Sequence, residues 1–276
     1  MGKLLFFSDL HFEGDGSREK GLEDIVQLAN EKGVDKLVFG GDIIGHSPAL
    51  VAGELDKKNP KLSASVYARL SDIFYNNLNH IVSGFKGEVH GIQGNHDPIG
   101  IFERVSSMNF KPTNEIGKVY MESAPLKSWY PNWDRITIPE NLKFIEHAIK
   151  IKPKIMLWHQ GPYDVKYSEN SEFKCPKELY EVGNSAHINL HGHNHSTFVK
   201  YDPKNKKLDV NMITQDGYFA IVEYNDDITP LAIEVYRNMD IVNAKPDLNK
   251  IASELYNLVL NEIQQSDSEK DEKKAA

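Results

Sequence analysis

The chain has 276 residues, 40% hydrophobic and 26% charged, with 32 lysines and arginines against 40 aspartates and glutamates and a net charge of -8. That length supports one substantial core with embellishments rather than several domains. The acidic balance gives no footprint for nonspecific DNA binding, and a mean hydropathy of -0.49 with no long apolar run gives nothing that would cross a bilayer.

The apolar start, Leu4 to Phe7, is stopped by Asp9 and His11. It is too short for a secretory signal and reads as a first strand over 3–8. Gly21 to Glu31 carries Leu22, Ile25, Val26 and Ala29 at helical spacing. Lys36 to Gly40 is a second strand. Ser63 to Val82 is a long amphipathic helix, with Val66, Leu70, Ile73, Phe74, Leu78 and Ile81 as its stripe. Glu88 to Ile92 is a third strand, Pro139 to Ile149 a helix, Lys154 to Trp158 a fourth strand and His187 to Leu190 a fifth. After Ser196 the pattern becomes a β meander: Thr197–Tyr201, Leu208–Ile213, Tyr218–Tyr224 and Leu231–Tyr236, with turns at 202–205 and 225–227. A βα-alternating front and a β meander predict two sheets packed between helices.

The domain is expected to span 1–246. A C-terminal helix over 247–265 follows, with Ile251, Leu255, Leu258, Val259 and Ile263 on one apolar face. It is expected to pack on its own domain, with self-association through this helix as the other use. Residues 266–276 are charged, small and unpatterned, and read as a disordered tail. The only cysteine, Cys175, excludes an intramolecular disulfide, fits a reducing cytoplasmic setting and reads as an inert loop residue. Arg18, Arg69, Arg104, Arg135 and Arg237 are the only arginines, so few bidentate phosphate clamps are available.

Five segments place metal-ligand residue types directly after apolar strands: Ser8-Asp9-Leu10-His11, Gly40-Gly41-Asp42, Gly94-Asn95-His96-Asp97, Trp158-His159 and His191-Gly192-His193-Asn194-His195. Strand ends at one sheet edge are where α/β proteins build sites. Carboxylate and amide oxygens are hard ligands, and imidazoles suit iron, zinc, manganese or nickel. A carboxylate between two cations offsets their repulsion. Two cations roughly 3.5–4 Å apart can share a hydroxide nucleophile and clamp phosphoryl oxygens during in-line attack. His191 and His90 lie within strands and read as structural.

Taken together the five segments resemble the calcineurin-like metallophosphoesterase superfamily, whose pattern is D-x-H, G-D, G-N-H-D/E, a lone H and G-H-x-H in this order. The resemblance spans about the first 200 residues. It implies an α/β fold, a four-layer αββα sandwich. It implies one metal held by Asp9, His11, Asp42 and His195, and a second held by Asp42, Asn95, His159 and His193. It implies that His96 stabilises the transition state or protonates the leaving oxygen, with Asp97 orienting it. The expected cofactor is a pair of transition metals, manganese first, with iron, zinc or nickel as alternatives.

Departures from the pattern narrow the substrate. The protein-phosphatase signatures are missing, Gly45 stands where break-repair nucleases carry an acid, and there is no extra tyrosine ligand of the purple acid phosphatases. The expectation is hydrolysis of a phosphodiester, nucleotide-like. A nuclease acting on DNA or RNA is the alternative, and a non-catalytic scaffold is the alternative of another class. His46 and Tyr163 are candidate substrate contacts. Trp129, Tyr130 and Trp133 form an aromatic cluster suited to stacking a base or filling a satellite core. Gly161 to Ala186 has the length and polarity of a lid or of a plain surface loop.

Overall fold

The computed structural model describes residues 1–13, 16–45, 73–74, 76–92, 94, 110–112, 121–124, 154–159, 185–193, 196–245, 247, 250–251, 253–254, 256–258 and 260–261. Within them the chain runs β1 (Gly2–Phe7), α1 (Glu19–Glu31), β2 (Lys36–Phe39), β3 (Glu88–Gly91), β4 (Phe110–Pro112), β5 (Met121–Ala124), β6 (Ile155–Trp158), β7 (Ile188–His191), β8 (Phe198–Asp202), β9 (Lys207–Asn211), β10 (Tyr218–Tyr224), β11 (Pro230–Arg237) and α2 (Met239–Asn243). A 3-10 turn, Thr214–Asp216, links β9 to β10.

The strands form two mixed sheets. One has six strands in the order β11-β10-β1-β2-β3-β4, the other five in the order β5-β6-β7-β9-β8. Period-two alternation along β1 explains how the first sheet is covered on both faces. Leu5 and Phe7 point into one core with Leu37, Phe39, Ile221 and the α1 residues Leu22, Ile25 and Ala29. Leu4 and Phe6 point the other way, into a core shared with Ile155, Leu157, Ile188, Leu190, Leu208 and Val210 of the second sheet. Each such side chain gains about 1.5–3 kcal/mol on burial, so β1 is anchored from both sides. On the outer face of the second sheet Met156, Trp158, Asn189 and His191 are buried too. Among the described residues the two sheets lie face to face, with α1 and α2 on the outer face of the first, as the expected αββα sandwich requires of that side.

The meander expected after Ser196 is not one sheet. β8 and β9 form an antiparallel hairpin at the edge of the second sheet, where β9 also pairs in parallel with β7. β10 instead lies antiparallel to β1 in the first sheet, with β11 outside it. The crossing occurs at the 3-10 turn, where Gly217 takes a left-handed φ of 83°. The short β4 and β5 and the five-residue α2 carry too few residues to show a period, and pattern reading missed them.

The long helix expected over 63–82 is described at 73–74 and 76–82, where Phe74, Leu78, Ile81 and Val82 are buried. Residues described between 250 and 261 are helical, and Lys250 N donates to the Asp247 side chain at 3.2 Å. Ile251 joins the first core, but Leu258 of the expected apolar face is 46% exposed. No described helix is long and apolar enough to cross a membrane. The helix at 139–149, the aromatic cluster, residues 161–184 and the tail lie outside the described residues.

Candidate metal centre

β1, β2 and β3 run parallel in the first sheet and β6 and β7 in the second, and residues that follow β1, β2, β6 and β7 come together at their C-terminal ends. The loops leaving β1 and β2 stay in register beyond the sheet. Asp9 N donates to Gly41 O at 2.9 Å, His11 N to Asp42 O at 3.1 Å and Phe12 N to Ile43 O at 2.7 Å. From the other side Thr214 N donates to Ser8 O at 2.8 Å and Gln215 N to Asp9 O at 2.9 Å. Thr214 Oγ1 also accepts from Ser8 N at 3.2 Å.

This bracing supports an uncommon backbone. Asp9, His11, Asp42 and His193 have φ of 53°, 48°, 50° and 69°. Left-handed conformations cost an L-residue of this kind on the order of 1–3 kcal/mol each and persist where the surroundings over-determine them. Here they turn successive side chains toward one point instead of to opposite faces.

The ligand atoms of Asp9, His11 and Asp42 lie within 4.8 Å of one another, and so do those of Asp42, His159 and His193. Asp42 belongs to both groups. Asp9, His11, Asp42 and His159 are buried. His159 Nε2 is 3.2 Å from Asp42 Oδ2, while its Nδ1 is 2.8 Å from Gly40 O. The His159 and His193 rings meet edge to face, centroids 5.1 Å apart.

The carboxylate of Asp9 is held by the Ser8 hydroxyl, which donates to Oδ2 at 2.6 Å, and by His193 N, which donates to Oδ1 at 3.0 Å and Oδ2 at 2.9 Å. Glycines make the room. A Cβ on Gly192 would lie 2.1 Å from Ser8 Oγ, and one on Gly94 would lie 2.2 Å from both Asp42 N and Asp42 Oδ1. Burial, reinforced by the neighbouring Asp42, pushes the Asp9 carboxyl up to about 6, against the pull of His159, Ser8 and His193. Burial pulls His159 down, but the Asp42 and Asp9 carboxylates outweigh it and raise the imidazole to about 9.

Five of the seven residues read as metal ligands are thus brought together. The other two, Asn95 and His195, lie outside the described residues, as do His96, Asp97, His46 and Tyr163. His191 is buried on the outer face of the second sheet, its Nε2 3.8 Å from Asp209 Oδ1, away from both groups. His90 is buried with Nε2 3.1 Å from Glu88 Oε2. Ser8, Arg18 and Thr214 brace the cluster and were given no role from sequence. Only the position of Ser8 beside Asp9 could have pointed to one.

The donor set fits metal. Two adjacent buried carboxylates repel each other unless a proton or a cation lies among them. Carboxylate oxygens with three imidazoles suit divalent transition ions.

Comparison with known proteins places these residues in a family frame. The family model for calcineurin-like phosphoesterases matches residues 2–197. A dimetal phosphatase from Danio rerio is 11% identical with a TM-score of 0.50, covering 86% of this chain and 99% of that one. GAP50, the anchor in the inner membrane complex of Plasmodium, is 10% identical with a TM-score of 0.52, covering 90% and 95%. A candidate 5′-nucleotidase from Staphylococcus aureus is 12% identical with a TM-score of 0.52, covering 92% of this chain but 58% of that one. At such identities these likenesses are of fold. A search of curated protein sequences finds no significant match.

Proposed function

Since the chain belongs to the calcineurin-like phosphoesterases, we propose that it is a metal-dependent hydrolase that uses two cations to cleave a nucleotide-like phosphodiester. The observation that carries this reading is the sharing of Asp42 between the two ligand groups. In the proposed assignment Asp9, His11, Asp42 and His195 hold one cation, and Asp42, Asn95, His159 and His193 the other. Manganese is the metal proposed. Two bound cations would lower the pKa of a water between them and neutralise the phosphoryl oxygens in the transition state.

The chain's own residues prepare this chemistry. His159 donates from Nδ1 to Gly40 O, so once a cation displaces the proton on Nε2 that nitrogen's lone pair would face the Asp42 side. Ser8 and His193 N fix both Asp9 oxygens, so this carboxylate does not have to reorganise when a cation arrives. His96 is proposed to protonate the leaving oxygen, with Asp97 orienting its ring, and His46 and Tyr163 to touch the substrate. We take 1–246 as the domain with the helix of 247–265 packed on it, an arrangement supported by the burial of Ile251, and the cytoplasm as its setting.

The test uses bis-(p-nitrophenyl) phosphate and p-nitrophenyl phosphate side by side, with Mn²⁺, after chelation and after Mn²⁺ is restored. The expected result is turnover of the diester above the monoester, lost on chelation and regained with the metal. Turnover unchanged by full metal removal would end the metal mechanism. Preference for the monoester would end the diester assignment, and degradation of DNA or RNA would replace it with a nuclease.

A further inference from the structure

The carbonyls of the loop after β1 can be followed one by one. Buried carbonyls need donors. Ser8 O and Asp9 O are taken by Thr214 N and Gln215 N, and Phe12 O by Gly45 N at 2.8 Å. The two between them are met by a side chain. Arg18 Nη1 donates to Leu10 O at 2.9 Å and also to His11 O. Arg18 is 9% exposed and stands at the N-cap of α1, with its own carbonyl accepting from Leu22 N at 3.1 Å.

We propose that Arg18 is a positioning residue for the Asp9–His11–Asp42 cluster, the clamp that holds the Leu10–His11 backbone in the conformation that aims His11 at the other two side chains. His11 sits at φ 48° and Asp9 at φ 53°. Asp9 keeps its bonds to Gly41, Gln215 and His193 without Arg18, whereas loss of the donor to Leu10 O and His11 O removes one of the restraints that keep His11 from relaxing to the ordinary φ < 0 region. Bonds from a guanidinium are charge-assisted and about twice as strong as neutral ones, and one planar Nη reaches both carbonyls without leaving its place. The arginine's use is therefore on the backbone of the loop. The second group behaves differently. His159 and His193 follow the ends of β6 and β7, and the groups that brace them, Gly40 O and the Asp9 carboxylate, are not the carbonyls that Arg18 holds.

The consequence is selective. The inference rests on the metal reading above and predicts that weakening Arg18 damages one cation site more than the other. Wild type, Arg18→Met and Arg18→Lys are titrated with Mn²⁺ by calorimetry. Electron paramagnetic resonance of the same samples separates coupled metal pairs from isolated ions. Wild type is expected to bind two ions with a coupled signal. Arg18→Met should bind one ion nearly as before and the second roughly 10–100-fold more weakly, the range for loss of a residue that orients a ligand, with an isolated-ion signal at intermediate metal. Arg18→Lys, which restores a cationic donor without the fork, should fall between them. If Arg18→Met does not fold, Arg18→Lys carries the test: selective loss of one site supports the clamp. Guanidinium ion added to folded Arg18→Ala should restore the weaker site. Folded variants with a wild-type isotherm, or with both sites weakened equally, would overturn the inference. A wild type that binds no metal would instead overturn the function proposed above.

Discussion

His159 Nε2 lies 3.2 Å from Asp42 Oδ2, with both side chains buried. Without a cation this contact is an imidazolium–carboxylate pair, and His159 holds its proton up to about pH 9, against an ordinary value of 6.5. Its contribution to the stability of the metal-free fold is whole below 6.5 and is lost as pH rises toward 9. Asp9 acts in the same direction lower down, whole below 3.8 and lost as pH rises through about 6.

The metal-free protein should therefore lose thermal stability between pH 6.5 and 8.5, and the Mn²⁺-loaded protein should not follow it. Loading must also expel the His159 proton, so binding near pH 7.5 should release about one proton. Differential scanning calorimetry follows the gap, and titration calorimetry in buffers of different ionisation enthalpy counts the proton. A constant gap with no proton released contradicts the pairing.

Asp42→Asn removes one negative charge and leaves a residue that tolerates the same left-handed backbone, φ 50°. Both cation sites should weaken together, by more than the roughly 10–100-fold seen when a residue that only orients a ligand is lost. Metal stoichiometry at fixed Mn²⁺ measures this. Retention of either site at wild-type affinity would remove Asp42 from its shared position.

Gly192→Ala should destabilise the fold by about 1–3 kcal/mol, the usual cost of overpacking, because its Cβ would meet Ser8 Oγ at 2.1 Å, Gly40 O at 2.8 Å and Asp9 Oδ2 at 2.9 Å. Ser8→Ala removes the nearest of these atoms. Urea unfolding of both single variants and the double variant should show that Gly192→Ala costs less in the Ser8→Ala background. Strict additivity would mean that the collision with Ser8 is not the cause.

His96→Ala should leave Mn²⁺ binding nearly intact and slow cleavage by roughly 10²–10⁴-fold if His96 is the general acid. The loss should be smaller for nitrophenolate, which leaves with little help, than for a ribose alkoxide, which needs the proton. Turnover on a nitrophenyl diester and on a nucleotide diester separates the cases. Loss of a metal, or equal slowing of both substrates, would contradict the acid role.

Much of the layering could be read from the chain. The alternation of Leu4 and Phe6 against Leu5 and Phe7 is the signature of a strand covered on both faces, and these four residues enter two different cores. The residue types that close each parallel strand were legible too, because ligand chemistry is carried by side-chain identity and spacing. What failed was the part decided by partners distant in sequence. The four strands after Ser196 looked like one meander, yet β10 pairs with β1 over two hundred residues away. No local pattern records which edge a strand joins.

The sequence by itself therefore determined which side chains are available at the sheet edge, since strand period and residue type are local properties. Only the tertiary structure decided how they converge. The left-handed turns at Asp9 and His11 are unfavourable locally and are held by donors from outside the loop: Thr214 and Gln215, distant in sequence, on the Ser8 and Asp9 carbonyls, and Arg18 of the next helix on those of Leu10 and His11. A conformation that costs energy in isolation leaves no trace in local propensity, and becomes visible only once the groups that stabilise it are in place.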